Sequence, residues 1–233
     1  MIVSQIQAVP CNIITGFLGV GKTSAILNLL NNKPRNERWA VLVNEFGEIG
    51  IDGSLFEGQK AGSHEVFIRE VPGGCMCCAA GLPMQIALNQ LLARAKPDRL
   101  LIEPTGLGHP KEVMAVLNAE YYQDVLDIQK IITLVDARKL SDTRYTKHTT
   151  FNQQIAIADI IVGNKQDLYG TSEPATLMTY VSQHAEVDAK VYFTEQGVLQ
   201  NHWLQGSTHF QQPVHGHHHS SAPKTDINNQ AFP

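Results

Sequence analysis

A segment near the amino terminus has the residue types and spacing that bind a chain of phosphates. Residues 16–24 read Gly-Phe-Leu-Gly-Val-Gly-Lys-Thr-Ser and fit G-x-x-x-x-G-K-[ST] at every fixed position. Glycines let backbone N–H groups curl around phosphate oxygens, and a helix beginning near Lys22 aims its positive end at them. In this pattern Lys22 reaches the β- and γ-phosphates and Thr23 ligates Mg²⁺. The residues expected to contact a nucleotide here are Gly16, Gly19, Val20, Gly21, Lys22, Thr23 and Ser24.

A second motif, far downstream, concerns the base. The apolar run 160–163 predicts a strand, and the four residues after it read Asn-Lys-Gln-Asp, an N-K-x-D element. The Asp167 carboxylate can accept from both the ring N–H and the exocyclic amino group of guanine, a donor pair that adenine lacks. We expect Asn164 to fix the loop and Lys165 to cover the base. Without the strand and the phosphate motif, N-K-x-D would indicate only a turn.

A third candidate is an acid at the end of another apolar stretch. Residues 100–106 read Leu-Leu-Ile-Glu-Pro-Thr-Gly, which places Gly106 three residues after Glu103. This spacing is similar to the D-x-x-G of GTPases, in which the carboxylate holds a water of the Mg²⁺ shell and the glycine N–H approaches the γ-phosphate. The alternative is that Glu103 caps the following turn. Asp136, at the end of another predicted strand, has the same two interpretations.

Three of the four cysteines are crowded into a Gly-flanked C-x-C-C segment. Soft thiolates at the density of Cys75, Cys77 and Cys78 suit Zn²⁺ or Cu(I), and the positive end of a helix predicted to begin at Pro83 would favour the thiolate form. A thiol redox site, a regulatory disulfide and inert loop cysteines are the alternatives. Metal binding is favoured because adjacent cysteines rarely pair comfortably and because C-x-x-C is the spacing with redox precedent.

A tetrahedral metal site needs a fourth ligand, for which the sequence offers several candidates. Glu48, in the segment 44–48 that reads Asn-Glu-Phe-Gly-Glu, could supply an oxygen, and a histidine is the alternative. Glu45 could reach either this metal or Mg²⁺, and Asp52 could hold a Mg²⁺ water. The competing interpretations are a solvated loop charge for the glutamates and a turn for Asp52.

Strand-like and helix-like segments alternate along the chain, which predicts an α/β fold with a mostly parallel sheet and helices on both faces. The predicted strands are 11–15, 39–43, 66–71, 99–102, 130–135, 160–163 and 191–193. The predicted helices are 23–31, 83–95, 111–118, 151–158 and 173–184. The acidic segment 44–48 and the cysteines lie in a long insert between the second strand and second helix, where loops commonly carry function.

Composition argues against several classes of protein. With 18 basic and 22 acidic residues the chain has a net charge of −4, which offers no cationic surface for nucleic acid or an anionic membrane. Residues 1–10 lack the basic start of a signal peptide, and no apolar run is long enough to span a bilayer. The cysteine pattern is unlike a secreted disulfide framework. We therefore expect a cytoplasmic protein that binds neither nucleic acid nor membrane.

The carboxyl-terminal segment differs in composition from the rest. From about residue 211 the chain is rich in Gln, Pro, Ser, Asn and His without apolar periodicity, so we predict a nucleotide-binding domain over 1–210 and a disordered tail over 211–233. Residues 215–219 read His-Gly-His-His-His and could collect or transfer a soft metal ion. A purification tag is the alternative, which the interrupting glycine and the continuation to Pro233 disfavour.

Taken together, these motifs resemble the CobW-type family of metal-chaperone GTPases over about residues 10–200, and segments 41–47 and 73–78 are most similar to its YeiR-like zinc-binding branch. The resemblance implies a P-loop NTPase fold of the SIMIBI type, Mg²⁺-dependent GTP hydrolysis and a metal site coupled to the nucleotide. It also implies a smaller α/β domain after a His-rich linker. This chain stops near that point, so we expect the usual C-terminal domain to be absent.

The resulting hypothesis is a GTPase that binds GTP and GDP with Mg²⁺, carries zinc or the related cobalt, and delivers the metal to a client metalloprotein. The expected catalytic residues are Lys22, Thr23 and Glu103. The expected ligands are Cys75, Cys77, Cys78 and Glu48 for the carried metal and Thr23 for Mg²⁺. Whether the protein forms a homodimer is left open. The rival hypotheses are a non-catalytic metal buffer and, less favoured, a P-loop nucleotide kinase, in which N-K-x-D and C-x-C-C have no role.

Overall fold

Seven strands and the helices between them build the fold. The computed structural model of the protein describes residues 8–44, 66–72, 76 and 81–210. The strands are β1 Val9–Gly16, β2 Trp39–Val43, β3 Val66–Glu70, β4 Arg99–Glu103, β5 Leu126–Val135, β6 Ile160–Gly163 and β7 Lys190–Phe193. The helices are α1 Lys22–Asn31, α2 Leu82–Ala95, α3 Pro110–Leu117, the single turn α4 Thr143–Thr146, α5 Thr149–Ala156 and α6 Glu173–His184. The strands pair in parallel in the order β3-β2-β4-β1-β5-β6-β7.

The central strands are apolar on both faces because helices cover both sides of the sheet. Along β2, the side chains of Trp39, Val41 and Val43 belong to one buried apolar cluster, and those of Ala40 and Leu42 belong to another. Helices α1 and α6 contribute to the first cluster, and α2 and α3 contribute to the second. The predicted parallel sheet with helices on both faces is therefore confirmed.

The strand order places the predicted nucleotide motifs at one edge of the sheet. β1 lies at the centre of the sheet, between β4 and β5, and later strands are added on both sides of it. In folds of this kind, ligands bind beyond the carboxyl ends of the strands at this point. The strand ends are level with one another: Val43 of β2 pairs with Glu103 of β4, and Val135 of β5 pairs with Gly163 of β6. Loops that are far apart in the sequence consequently meet at this edge.

Strands β2 and β6 and helix α6 have the bounds predicted from the sequence. Strand β5 begins at Leu126 instead of residue 130, because its first half, where polar residues interrupt the apolar pattern, pairs with the start of β1. Helix α5 covers 149–156 instead of 151–158, because His148 Nδ1 accepts a hydrogen bond from the Thr150 N–H at 3.2 Å and caps the helix earlier.

Two expectations concern membranes and the carboxyl-terminal tail. Within the described ranges, every helix is too short or too polar to cross a lipid bilayer. The predicted tail, 211–233, lies outside the described residues, and the boundary at residue 210 stays a prediction.

Candidate nucleotide site

Within the glycine-rich segment 16–24, residues 17–21 form the turn between β1 and α1. Gly21 has a φ of +97°, which side chains rarely adopt, and a Cβ there would lie 2.6 Å from Nδ2 of Asn164. Helix α1 begins directly after it, at Lys22. The first N–H groups of a helix have no partner within the helix and carry its positive end, so they can bind phosphate oxygens held in this turn.

Three polar side chains predicted to handle phosphate and Mg²⁺ lie beside this turn. Lys22 is buried, with Nζ 3.4 Å from the carbonyl oxygen of Phe17. The Thr23 hydroxyl donates to Oε1 of Glu103 at 3.2 Å, and Glu103, the last residue of β4, is also buried. A hydroxyl next to a carboxylate supplies the hard oxygen donors that Mg²⁺ prefers. These two residues therefore fit the ion.

Gly106 lies against the turn between β1 and α1. The loop after β4 bends sharply, with the N–H of Gly108 donating to the carbonyl oxygen of Thr105 at 3.0 Å. A Cβ at Gly106 would lie 2.9 Å from the backbone nitrogen of Leu18, so any larger residue would push the two backbones apart. Both fixed residues of the E-x-x-G motif are thus brought to segment 16–24.

The first two residues of the N-K-x-D element bind the same turn from the side of β6. Asn164 is buried, its Nδ2 donates to the carbonyl oxygen of Val20 at 2.8 Å, and its Oδ1 accepts from the N–H of Gly197 at 3.0 Å. Lys165 Nζ donates to the carbonyl oxygen of Gly19 at 2.7 Å. These contacts place Asn164 where it can fix the loop, whereas the contact of Lys165 with a base stays a prediction.

Asp167 has a different environment from its two neighbours in the motif. It is exposed, lies in the 3₁₀ turn Gln166–Leu168, and makes no hydrogen bond within the part of the chain that the structure describes. The turn is held to the loop after β7, because the N–H of Gln166 donates to the carbonyl oxygen of Thr194 at 3.0 Å. The carboxylate is therefore presented on a fixed turn with its oxygens open to a ligand.

The sequence does not predict two supports of this element. The Tyr169 hydroxyl donates to the carbonyl oxygen of Asn164 at 2.6 Å, and burial raises the pKa of Tyr169 to about 12. Gly197, in the loop after β7, packs so closely on α1 that a Cβ there would lie 2.8 Å from the nitrogen of Ala25. For Gly197, the only sequence signal is a glycine shortly after the last predicted strand. Its role can be recognised once β7 is known to pair with β6.

Asp136, for which the sequence leaves two roles open, acts as a cap. Its Oδ1 accepts from the N–H of Arg138 at 3.2 Å, and its Oδ2 lies 2.7 Å from the Arg138 guanidinium and 3.8 Å from Lys165 Nζ. Burial by itself raises the pKa of Asp136, but the hydrogen bonds and positive charge of Arg138, together with Lys165, outweigh it and hold the pKa below its usual value. The carboxylate therefore stays charged and supports Lys165 from the side of β5.

Most of the predicted metal residues lie in segments other than the described ones. Cys75, Cys77, Cys78, Glu48, Glu45, Asp52 and the histidines of 215–219 lie outside the described residues. One residue of the cysteine motif is described: Met76 is 1% exposed, and its N–H donates to Oδ1 of Asn44 at 3.0 Å. In the described ranges, no group of three or more His, Cys, Asp or Glu side chains is placed to hold a metal.

Comparison with known proteins assigns the family. A family model described as CobW/HypB/UreG, nucleotide-binding domain, matches residues 10–193. The chain belongs to the CobW/HypB/UreG family. The zinc chaperone YeiR of Escherichia coli is 48% identical to this chain over 193 residues, which are 83% of this chain and 57% of YeiR. The zinc-regulated GTPase metalloprotein activator 1 of Schizosaccharomyces pombe is 31% identical, over 84% of this chain and 48% of the relative.

Solved structures of CobW/HypB/UreG relatives share the fold. The Zn(II)-bound YjiA GTPase from Escherichia coli has a TM-score of 0.61 at 24% identity, covering 85% of this chain and 61% of that one. HypB from Helicobacter pylori, in complex with nickel, has a TM-score of 0.52 at 16% identity, covering 81% and 80%. The predicted P-loop fold is therefore confirmed. The chain spans about half the length of the curated relatives it matches.

Proposed function

We propose that this CobW/HypB/UreG protein is a Mg²⁺-dependent GTPase that binds zinc as its cargo through Cys75, Cys77 and Cys78, and that GTP hydrolysis controls the release of the metal. Cobalt is the alternative cargo. The observation that carries the proposal is the hydrogen bond from the N–H of Met76 to Oδ1 of Asn44, which joins the cysteine motif to the edge of the sheet where the nucleotide motifs meet.

The position of Asn44 brings this hydrogen bond close to the proposed Mg²⁺ site. Val43, the last residue of β2, is level with Glu103 of β4. Asn44, directly after the neighbouring strand, therefore lies one residue beyond the level of Glu103, which accepts a hydrogen bond from the Thr23 hydroxyl. A displacement of the end of β4 or of the Mg²⁺ ligands would reach Asn44 through the directly paired neighbouring strand.

Met76 provides the other half of the link. In the sequence it stands between Cys75 and Cys77, and its side chain is buried in the apolar cluster that α2 and α3 help to form. Because leaving a buried N–H without an acceptor costs about 1–3 kcal/mol, its hydrogen bond to Asn44 favours one position of the backbone between the two thiols. A shift of Asn44 would consequently alter the geometry available to a metal bound there.

The roles proposed for the nucleotide residues follow from their placement. The Thr23 hydroxyl would ligate Mg²⁺ and the Glu103 carboxylate would hold one of its waters, and the ion would supply positive charge beside the β- and γ-phosphate oxygens. Lys22 would bind the same oxygens from the start of α1, and the Gly106 N–H would contact the γ-phosphate. Asp167 would accept two hydrogen bonds from guanine. Loss of the γ-phosphate would remove its contact with the Gly106 N–H in the loop after β4.

Zinc is proposed as the cargo because thiolates are soft ligands that suit it and because relatives of this chain carry the name zinc chaperone. Glu48 is the proposed fourth ligand. The partners that follow from this proposal are GTP, GDP and a client metalloprotein, and a homodimer is compatible with it. Linkage between two ligands is reciprocal and typically amounts to about 1–3 kcal/mol, so zinc must alter nucleotide affinity by the same factor that nucleotide alters zinc affinity.

The Mg²⁺ role of Glu103 can be tested by itself. Glu103→Gln keeps the shape of the side chain and removes its charge, so the Mg²⁺ concentration for half-maximal GTP hydrolysis should rise by about tenfold, as for other residues that orient metal-bound water. Hydrolysis is measured across a Mg²⁺ titration, with Glu112→Gln, on the first turn of α3, as the control. An unchanged Mg²⁺ requirement in Glu103→Gln would restrict Glu103 to a structural role.

Coupling is tested by titrating zinc into the protein with GDP and with a non-hydrolysable GTP analogue. The wild type should bind zinc with affinities that differ by about 5- to 150-fold between the two states. Asn44→Leu, which removes the acceptor for the Met76 N–H, should reduce this ratio towards one, whereas Asn44→Asp keeps an acceptor oxygen and should retain most of it. Cys77→Ala should lose most of its zinc affinity in both nucleotide states.

The same titration decides between the proposal and a metal buffer, and a separate assay with GTP and an added acceptor tests the kinase alternative. Equal zinc affinity in both nucleotide states of the wild type would contradict coupling and favour a metal buffer. Undiminished zinc binding by Cys77→Ala would contradict the proposal that the cysteine motif binds the zinc. Transfer of the γ-phosphate to an added nucleoside or nucleotide, instead of to water, would favour a kinase.

A further inference from the structure

Helix α5 reaches the loop after β4 with an amide that the proposed mechanism leaves unused. The side chain of Gln154 is fully buried, and its Nε2 donates to the carbonyl oxygen of Gly106 at 3.0 Å. The backbone of Gln154 is fixed as well, because its carbonyl oxygen accepts from the Thr133 hydroxyl of β5 at 2.8 Å. Gly106 is thus tied through one side chain to a helix anchored on the central sheet.

A contribution to folding stability does not explain why an amide occupies this buried position. Gln154 Oε1 is buried and has no hydrogen-bond partner among the described residues. A buried acceptor left without a donor costs at least as much free energy as one neutral hydrogen bond typically contributes, so the single bond to Gly106 does not offset the burial of the whole amide. An apolar side chain of the same length would fill the same space without that cost. The amide is better explained by what its one hydrogen bond positions.

Gly106 is held between this amide and the phosphate-binding turn. On one side its carbonyl oxygen accepts from Gln154, and on the other its Cα lies so near Leu18 that a Cβ would come within 2.9 Å of the Leu18 nitrogen. We propose that Gln154 is a positioning residue that holds Gly106 at the distance from the turn at which its N–H can bind a γ-phosphate. Gln154 thereby sets the preference for a nucleoside triphosphate over the diphosphate; this inference rests on the proposed function.

The test compares wild type with Gln154→Met, which keeps the length of the side chain and removes both polar atoms. Affinities for a non-hydrolysable GTP analogue and for GDP are measured with Mg²⁺ by displacement of a fluorescent nucleotide. Loss of one neutral hydrogen bond should lower the ratio of analogue to GDP affinity by about fivefold, with GDP affinity unchanged. The urea midpoint of unfolding should stay the same or rise, because the unsatisfied oxygen is removed.

Three further variants complete the test of positioning against general stability. Gln153→Met is the matched control, since Gln153 is the preceding residue of α5, is partly exposed and contacts the His109 ring instead of Gly106; it should keep the wild-type ratio. In Gly106→Ala the added Cβ already displaces the loop, so Gln154→Met should lower the ratio much less in that background than in the wild type. Gln154→Asn, whose amide is one methylene too short, repeats the test if methionine is not tolerated.

The outcomes distinguish this inference from the proposed function. A wild type that binds the analogue more tightly than GDP, together with Gln154→Met and Gln154→Asn variants that keep the same ratio, would overturn the role of Gln154 and leave the GTPase proposal intact. An equal loss of affinity for both nucleotides would also overturn it, because that result indicates a purely structural role. A wild type that binds neither nucleotide would overturn both.

Discussion

Replacing Lys22 with alanine should lower the rate of GTP hydrolysis by about 100- to 1,000-fold, the range observed when one preorganised donor to a developing charge is removed. The side chain is buried at the start of α1, and its ammonium group lies 3.4 Å from the carbonyl oxygen of Phe17 in the turn between β1 and α1. A triphosphate in the turn would offer that ammonium group charged oxygens in a site shielded from water. Water cannot replace a donor that acts at a fixed position in such a site.

The measurement is single-turnover hydrolysis of GTP with saturating Mg²⁺, together with nucleotide affinity and the urea midpoint of each variant. Lys190→Ala is the control, because Lys190 is exposed at the amino end of β7, at the opposite edge of the sheet from the nucleotide motifs. Hydrolysis by Lys22→Ala at the wild-type rate would mean that the γ-phosphate is not bound in segment 16–24.

The strands and helices that carry the motifs could be predicted because each has a short, local sequence pattern. Residues 160–163 form an uninterrupted apolar run, which a strand buried on both faces requires, and the strand ends where the run ends. The C-terminal acid of β4 was less clear, since the apolar pattern alone ends at Ile102. Glu103 belongs to the strand because it pairs with Val43 of β2, a contact between segments that are far apart in the sequence.

The contacts that assemble the site could not be predicted in this way, because they depend on the order of strands. Asn164 reaches Gly197 only because β6 and β7 are neighbours, and it reaches Val20 only because both motifs lie at the same edge of the sheet. Gln154 shows the same limit. In the sequence it is one polar residue in an amphipathic helix pattern, and its burial against Gly106 follows from where α5 packs.

Replacing Asp167 with asparagine should lower the affinity for GTP by about 1,000-fold, because two hydrogen bonds from guanine to a charged carboxylate are lost or reversed. Asparagine would place an N–H₂ donor opposite the exocyclic amino group of guanine, and two donors facing each other cannot pair. Xanthine carries a carbonyl oxygen at that position, which accepts from the asparagine amide, so affinity for xanthosine triphosphate should rise in the same variant.

This change of specificity separates a role in base recognition from damage to the fold, because an unfolded variant would not gain affinity for xanthosine triphosphate. Asp167 lies exposed on a turn attached to the loop after β7, so the substitution disturbs no buried contact. Asp188→Asn, a change of the same size at an exposed position just before β7, should leave both affinities unchanged. Equal losses for guanine and xanthine nucleotides in Asp167→Asn would contradict the assignment. A gain for xanthosine triphosphate alone would require residue 167 to contact the base, because asparagine has nearly the shape of aspartate and presents a donor in place of one charged acceptor oxygen.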